Sequence, residues 1–292
     1  MDARSRGYGR GVESRELRYF VAVAEELHFG RAAERLGMAQ PPLSRAVAQL
    51  ERRLGAVLLE RSSRSVALTG AGAVLLREGR AALDALEAAE HRTRRAAPAD
   101  ASAGIALAVK AGASDELLAK LLDAYAAEPG AVPVDVVLSG PGQQGRLLRT
   151  GRVDVALLHP PIDDVQGLDV EELRTEGQVV LLPAGHALST RSELRLADVA
   201  DLPGLPAPRW PRPDGTYADG PGPEVHDHAQ LLQLVSLGRT AVMVPDVVRS
   251  QLRGGVVAVP VTDAPEVTTV IAWPPHSRSL DVARLVETAL RL

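Results

Sequence analysis

The chain has 292 residues, enough for two or three folding units, and its 46% hydrophobic but only 3% aromatic content implies cores built mainly from Leu, Val and Ala. It has no cysteine and no apolar run near the ~18 residues of a membrane span, which excludes disulfide frameworks, thiolate metal sites, cysteine nucleophiles and a helical anchor. The net charge of −4 hides a division: residues 1–95 carry 17 Arg against 12 acidic residues and the remainder is acidic, so only the front half suits a polyanion.

Residues 1–14 hold three Gly and three Arg without periodicity and read as a flexible tail or as an arm that touches phosphates. They are polar, with none of the apolar stretch of a secretion signal, so the expected location is the cytoplasm with no membrane contact. Glu16 to Glu26 is a predicted helix with Leu17, Phe20, Val21 and Ala24 on one stripe. Phe29 to Leu36 is a second, burying Ala32, Ala33 and Leu36, and Gly37 turns the chain at its end. A third runs from about Gln40 to Leu54, with Leu43, Val47, Leu50 and Leu54 inward and Pro41 and Pro42 tolerated in the first turn. Val57–Leu59 and Ser65–Leu68 then read as two short strands of a wing around Glu60 to Arg64.

Thr69 is the expected N-cap of a long helix reaching about Arg95. Leu76, Gly79, Leu83 and Leu86 recur on it at helical spacing, a stripe that needs cover. A second copy of the chain is the simplest cover, making these the candidate dimerisation positions; packing on its own domain is the alternative.

After the Ala-, Pro- and Ser-rich linker 96–104 the pattern changes to apolar strands alternating with helices. The strands are Ile105–Val109, Val134–Leu138, Val153–Leu158, Val179–Leu182, Ala241–Val244, Val256–Val261 and Thr268–Trp273. Helical patterns fall at Asp115–Ala127, Gln143–Thr150, Ala229–Leu237 and Asp281–Leu292. This implies an α/β unit with mostly parallel strands, in two lobes joined near Pro160-Pro161 and Ala264-Pro265, with a cleft between them for a small ligand. The expected division is a tail 1–14, a winged helix-turn-helix 15–72, a linker helix 73–98 and an effector unit 103–292. Within that unit lobe I takes 103–162 and 268–292, and lobe II takes 163–267.

The motifs Leu17-Arg-Tyr-Phe-Val-Ala-Val-Ala-Glu-Glu26, Arg31-Ala-Ala-Glu-Arg-Leu36, Gln40-Pro-Pro-Leu-Ser-Arg45, Gln49-Leu-Glu51, Leu59-Glu-Arg61 and Leu68-Thr69 resemble the LysR-type transcriptional regulators. The form Glu25-Glu-Leu-His-Phe-Gly-Arg31 is most similar to the branch with aromatic-degradation regulators. A looser likeness continues through Thr150-Gly-Arg-Val-Asp154, Pro183-Ala-Gly-His186, Leu234 to Gly238 and Val244-Pro245. The resemblance implies a bacterial winged helix, a linker-helix dimer and a two-lobed effector domain similar to periplasmic binding proteins. It also implies a homodimer or dimer of dimers, a homotetramer, on partly palindromic double-stranded promoter DNA, with RNA polymerase as a further partner of an activator.

On the third helix the apolar stripe leaves Gln40, Pro41, Ser44, Arg45 and Gln49 outward. Arg suits guanine O6 and N7, Gln suits adenine, and Ser44 suits a phosphate. By resemblance Gln40, Pro41, Pro42, Ser44 and Arg45 meet the major groove; Arg31 joins the candidate DNA contacts, and Arg64 at the wing tip would meet backbone or minor groove. Ala39 stands where many members have Ser or Thr, which forgoes a cap of about 1 kcal/mol unless Gln40 or the double proline compensates, and DNA binding is still expected.

For the effector site the resemblance points to helix starts and loops between the lobes. These are Gly112, Ala113 and Ser114, then Gly140, Pro141 and Gly142, with Arg209, Trp210 and His226 added as partners for an acid with an apolar body. Exposed helix N-termini favour an anion, often a carboxylate. No Gly-x-Ser-x-Gly elbow, His-Glu-x-x-His helix or Walker lysine is present, so no enzyme is expected. His226-Asp-His228 lacks a third ligand in the sequence, so neither metal nor cofactor is expected. A ligand-independent repressor or architectural DNA binder, and a solute-binding protein, are the competing readings.

Overall fold

A computed structural model describes residues 11–61, 65–95, 104–112, 115–211 and 216–292. The chain divides into two compact units, residues 1–90 and 91–292. None of the helices described is long and apolar enough to cross a membrane.

The first unit opens with α1 (Ser14–Glu26), α2 (Phe29–Arg35) and α3 (Gln40–Leu54), followed by the hairpin β1 (Leu59–Arg61) and β2 (Val66–Leu68) and by α4 (Gly70–Arg95). Phe20 and Val23 of α1, Ala32 of α2 and Leu43, Val47 and Leu50 of α3 are wholly buried together. Leu36 is only partly buried at the edge of this core, and Leu54 is exposed. Thr69 accepts from the Gly72 N–H at 2.9 Å, capping α4, and donates to the Val57 carbonyl at 2.7 Å, tying that cap to the wing. A Cβ on Gly72 would lie 2.0 Å from the Leu58 carbonyl oxygen, so the wing and α4 approach as closely as only glycine permits.

α3 begins on a residue without a side-chain cap, Ala39. The loss expected there does not arise. A cap oxygen accepts from the second or third helical N–H, and those positions are Pro41 and Pro42, which have none.

The second unit contains two sheets. The larger has strand order β4-β3-β5-β10-β6, from β3 (Ile105–Lys110), β4 (Val134–Ser139), β5 (Val155–Leu158), β6 (Asp169–Glu176) and β10 (Val267–Trp273). Alternation sorts its side chains: Ile105, Leu107 and Val109 meet α5 (Asp115–Ala126) and α9 (Leu280–Ala289), while Ala108, Ala156 and Leu158 meet α6 (Gln144–Arg149). The smaller sheet, β8-β7-β9, comprises β7 (Gln178–Pro183), β8 (Val242–Pro245) and β9 (Val256–Val261). Val179 and Leu181 of β7 pack with Leu231 and Val235 of α8 (His228–Ser236), and Val180 and Leu182 pack with Leu194 and Leu205 on the other face. A short α7 (Leu196–Val199) lies in the β7–α8 connection.

Three expectations change. The strands are not mostly parallel: β3 pairs in parallel with β4 and β5, whereas β10 runs antiparallel to β5 and β6, and the smaller sheet is antiparallel throughout. The segment 169–176, assigned to lobe II, is a strand of the lobe I sheet paired along its length with β10. The chain therefore first crosses between lobes at Glu176-Gly177 rather than at Pro160-Pro161. It returns between β9 and β10, and the Gln178 side-chain amide donates to the Pro265 carbonyl at 2.8 Å, binding the two crossings together.

Candidate functional site

On α3 the buried stripe of Leu43, Val47 and Leu50 leaves Gln40, Pro41, Pro42, Arg45 and Gln49 exposed, with Ser44 partly covered. Gln40, Arg45 and Gln49 make no hydrogen bond among the described residues, so their polar ends are available to a ligand. Ser44 Oγ accepts from Arg61 at 3.5 Å. Arg31 is held at the end of α1, donating to the Glu26 carbonyl at 2.5 Å and its carboxylate at 3.3 Å. Arg64 lies outside the described residues.

Glu51 and Arg61 hold this surface together. Glu51 Oε1 accepts the backbone N–H groups of Leu58 and Leu59 at 2.9 and 3.2 Å, and its Oε2 receives Arg61 at 2.9 Å. The Arg61 guanidinium also sits 4.8 Å over the Phe29 ring. One carboxylate thus locks the wing to α3, through a side chain on the half-buried flank that periodicity alone does not mark.

The α4 stripe resolves differently from the expectation. Leu76 and Leu83 pack against the core of their own unit, and a Cβ on Gly79 would lie 3.3 Å from Leu17 and 3.5 Å from Val21. Of the four proposed dimerisation positions only Leu86, 45% exposed, points away. It shares the outward side of the helix with Val74, Ala81, Ala82, Ala85 and Ala89.

In the second unit a cavity of about 380 Å³ lies between the two sheets. Of the expected ligand residues, Gly112, Gly140, Pro141, Trp210 and His226 line it; Gly142 and Arg209 do not, and Ala113 and Ser114 lie outside the described residues. Arg209 is occupied within its own loop, donating to the carbonyls of Gly222 and Ala218 at 2.6 and 2.9 Å and to Glu224 at 3.2 Å. At the start of α6 the Gly140 N–H is taken by the Gln143 side chain at 3.1 Å, so that helix start is less of an anion site than expected.

The reading from sequence missed the residues at the strand ends. Lys110 ends β3, Ser139 ends β4 and His159 follows β5, and all three line the cavity. Ligands gather at the C-terminal ends of neighbouring parallel strands, and that rule would have found them once the β4-β3-β5 order was known. Lys110 Nζ lies 3.1 Å from Asp163 Oδ2, which also accepts the His159 backbone N–H at 2.9 Å and faces His159 Nδ1 at 3.5 Å. Burial works against the charged carboxylate, but the His159 and Lys110 contacts outweigh it and hold Asp163 below its ordinary pKa. At the first crossing the balance is reversed: burial pushes the Glu176 carboxyl up, and Arg174 and the Val247 N–H, 3.0 Å from Oε2, offset it only in part.

From the opposite lobe come His226, Asp227 and His228 at the start of α8. Asp227 caps that helix, accepting the Gln230 N–H at 2.8 Å. The Tyr217 hydroxyl lies 2.5 Å from His226 Nδ1, fixing the imidazole in the wall. Apart from Gln143 the remaining lining is apolar, including Leu138, 66% exposed, and Ile162, 53% exposed, two large side chains that only a bound molecule or a neighbouring surface would cover.

The chain matches "Bacterial regulatory helix-turn-helix protein, lysR family" over residues 14–73 and "LysR substrate binding domain" over residues 98–292. It is 31% identical over 280 residues to the Hca operon transcriptional activator HcaR of Escherichia coli (strain K12), covering 90% of this chain and 92% of that one. It is 33% identical over 297 residues to the HTH-type transcriptional regulator CatR of Pseudomonas putida, covering 96% and 98%. Among solved structures, full-length BenM superposes with a TM-score of 0.50 at 28% identity over 96% of each chain. The chain belongs to the LysR family of DNA-binding transcriptional regulators, with an N-terminal helix-turn-helix unit and a C-terminal effector-binding domain.

Proposed function

We propose that this regulator binds partly palindromic promoter DNA as a homo-oligomer and changes its grip when a small organic acid occupies the cavity between the lobes. The observation that carries the ligand part is the cavity itself: about 380 Å³, apolar walls including Trp210, and few polar groups, among them Lys110 and His226. That is the lining expected for a small amphiphilic molecule. Members of the LysR family are regulators rather than enzymes, so occupancy has its output on DNA, and RNA polymerase is a further partner where the effect is activation. A regulator with these partners works in the cytoplasm, which is the location proposed for it.

On the DNA side, Arg45, Gln40 and Gln49 read base edges in the major groove, while Pro41, Pro42 and Ser44 rest against the backbone. Arg31 and Arg64 supply phosphate contacts. Self-association uses the outward side of α4 from Val74 to Ala89 rather than the buried Leu76–Gly79–Leu83 line. The decisive experiment is footprinting on the protein's own promoter region across a panel of small acids. A protected two-fold repeat whose footprint changes with one acid supports the reading. A footprint unchanged by every acid, from a protein that binds none of them, leaves a ligand-independent repressor.

A further inference from the structure

The buried charge pair beside the cavity assigns a chemical preference to it. Lys110 is 15% exposed at its side chain and Asp163 4%. An ammonium in such a place has lost most of its hydration, which is tolerable only with a close counter-ion and with acceptors for its protons. Asp163 provides the counter-ion at 3.1 Å, and among the described residues it is the one hydrogen-bond acceptor for the ammonium. A lysine has three N–H donors. Two therefore have no acceptor among the described residues, on a side chain that lines the cavity where Asp163 does not.

We propose that Lys110 makes the cavity select organic acids over neutral molecules of the same shape, with Asp163 as the positioning residue that holds the ammonium at the cavity wall. This deepens the small-acid reading above and rests on it. A carboxylate carries lone pairs for both remaining N–H groups, and a charge-assisted hydrogen bond in a poorly hydrated site is about twice as strong as a neutral one. A carboxamide offers only its carbonyl oxygen, and its NH2 faces a donor.

The neighbouring acids do not oppose this. Asp227 is turned into the first turn of α8 as its cap, and burial favours the uncharged form of Glu176 at the crossing. Asp163 stays ionised because its pKa is depressed, so the pair is neutral and an entering acid adds one negative charge. His159, His226 and His228 also line the cavity. The apolar body of the acid would lie against Leu138, Ile162 and Trp210.

The test is a titration of the full chain with C4 to C10 monocarboxylates, aliphatic and aromatic, each paired with its own carboxamide and read by tryptophan fluorescence in a Trp273→Phe background, which leaves Trp210 at the cavity wall as the reporter. The wild type should bind at least one acid about tenfold or more tighter than its amide. Lys110→Met should abolish that ratio but leaves Asp163 buried without its partner, so the double variant Lys110→Met/Asp163→Asn, which removes both charges, guards against a folding defect. The double variant should bind acid and amide within about threefold of each other, and Lys110→Arg should keep the preference. An acid preference that survives in the folded double variant overturns the assignment, as does a wild type that binds amides as tightly as acids. Binding of no compound at all would sink the small-ligand reading instead.

Discussion

Gly112 stands at a contact where adding one methyl group has a calculable cost. Its φ is +75°, and a Cβ built on it would lie 2.6 Å from His228 Cγ and 2.7 Å from both Cβ and Cδ2. Favourable carbon contacts lie at about 3.5–4.0 Å, so the overlap is on the order of 1 Å. Two of the three crowded atoms are at the root of the histidine, where rotating the ring brings no relief. Gly112→Ala therefore carries about 1–2 kcal/mol for a non-glycine residue at positive φ and a further 1–3 kcal/mol for overpacking. A total of about 2–5 kcal/mol is expected. Both tryptophans, Trp210 and Trp273, are in the second unit, so their fluorescence during urea unfolding follows that unit alone. The midpoint difference multiplied by the common slope gives the loss. Repeating the substitution in a His228→Gly background removes the overlap and leaves only the backbone cost, so the two changes should couple by at least about 1 kcal/mol. A loss below about 0.5 kcal/mol, or the same loss in both backgrounds, would refute the steric argument.

Arg45→Ala should weaken specific DNA binding by about 1–3 kcal/mol and blur preference at the contacted base, measured by gel shift against single-base operator variants; unchanged affinity and preference would reject the docking of α3. Ala39→Ser should leave the stability of the first unit within about 0.5 kcal/mol, because the cap it offers has no N–H to accept from Pro41 or Pro42, and a gain near 1 kcal/mol by thermal unfolding would contradict that account. Because the Glu176 pKa is raised, the folded chain holds that proton more tightly than the unfolded chain. Its contribution to stability falls as pH rises from 4.5 through the folded value and is level above it. Glu176→Gln removes the loss while keeping an acceptor for the Val247 N–H, so the variant should match or exceed the wild type in urea at pH 7 and lose ground to it on acidification. A variant less stable at pH 7 by more than about 1 kcal/mol would show that ionised Glu176 supports the crossing.

The parts of the molecule visible in the sequence are those whose signal is local. Leu43, Val47 and Leu50 recur at the helical period, so both the buried side of α3 and its outward residues follow from spacing alone. The stripe on α4 was equally visible, but a stripe states only that something covers it, and Leu17 and Val21 cover it here. β6 was invisible because it is an edge strand with Asp169, Glu171, Glu172, Arg174 and Glu176 in its eight residues, leaving no apolar alternation to detect. Missing it displaced the lobe boundary and the first crossing. Lys110, Ser139 and His159 come together only through the order β4-β3-β5, a pairing between distant segments that no window of sequence contains. Gly112 was recognised as part of a loop before a helix, but its neighbour His228 is 116 residues away in the chain.

The packing of Leu76, Gly79 and Leu83 against α1 has a mechanical consequence. α4 is 26 residues long, about 39 Å at 1.5 Å per residue, and its first half is clamped to the core that also seats α3. The Thr69 bonds and the Gly72 contact fix its near end as well, so no joint separates the long helix from α3. The pair behaves as a lever with its short arm embedded in the core that seats α3. A tilt of α4 therefore reaches Arg45 as the same angle, turning the outward surface of α3 without reshaping it.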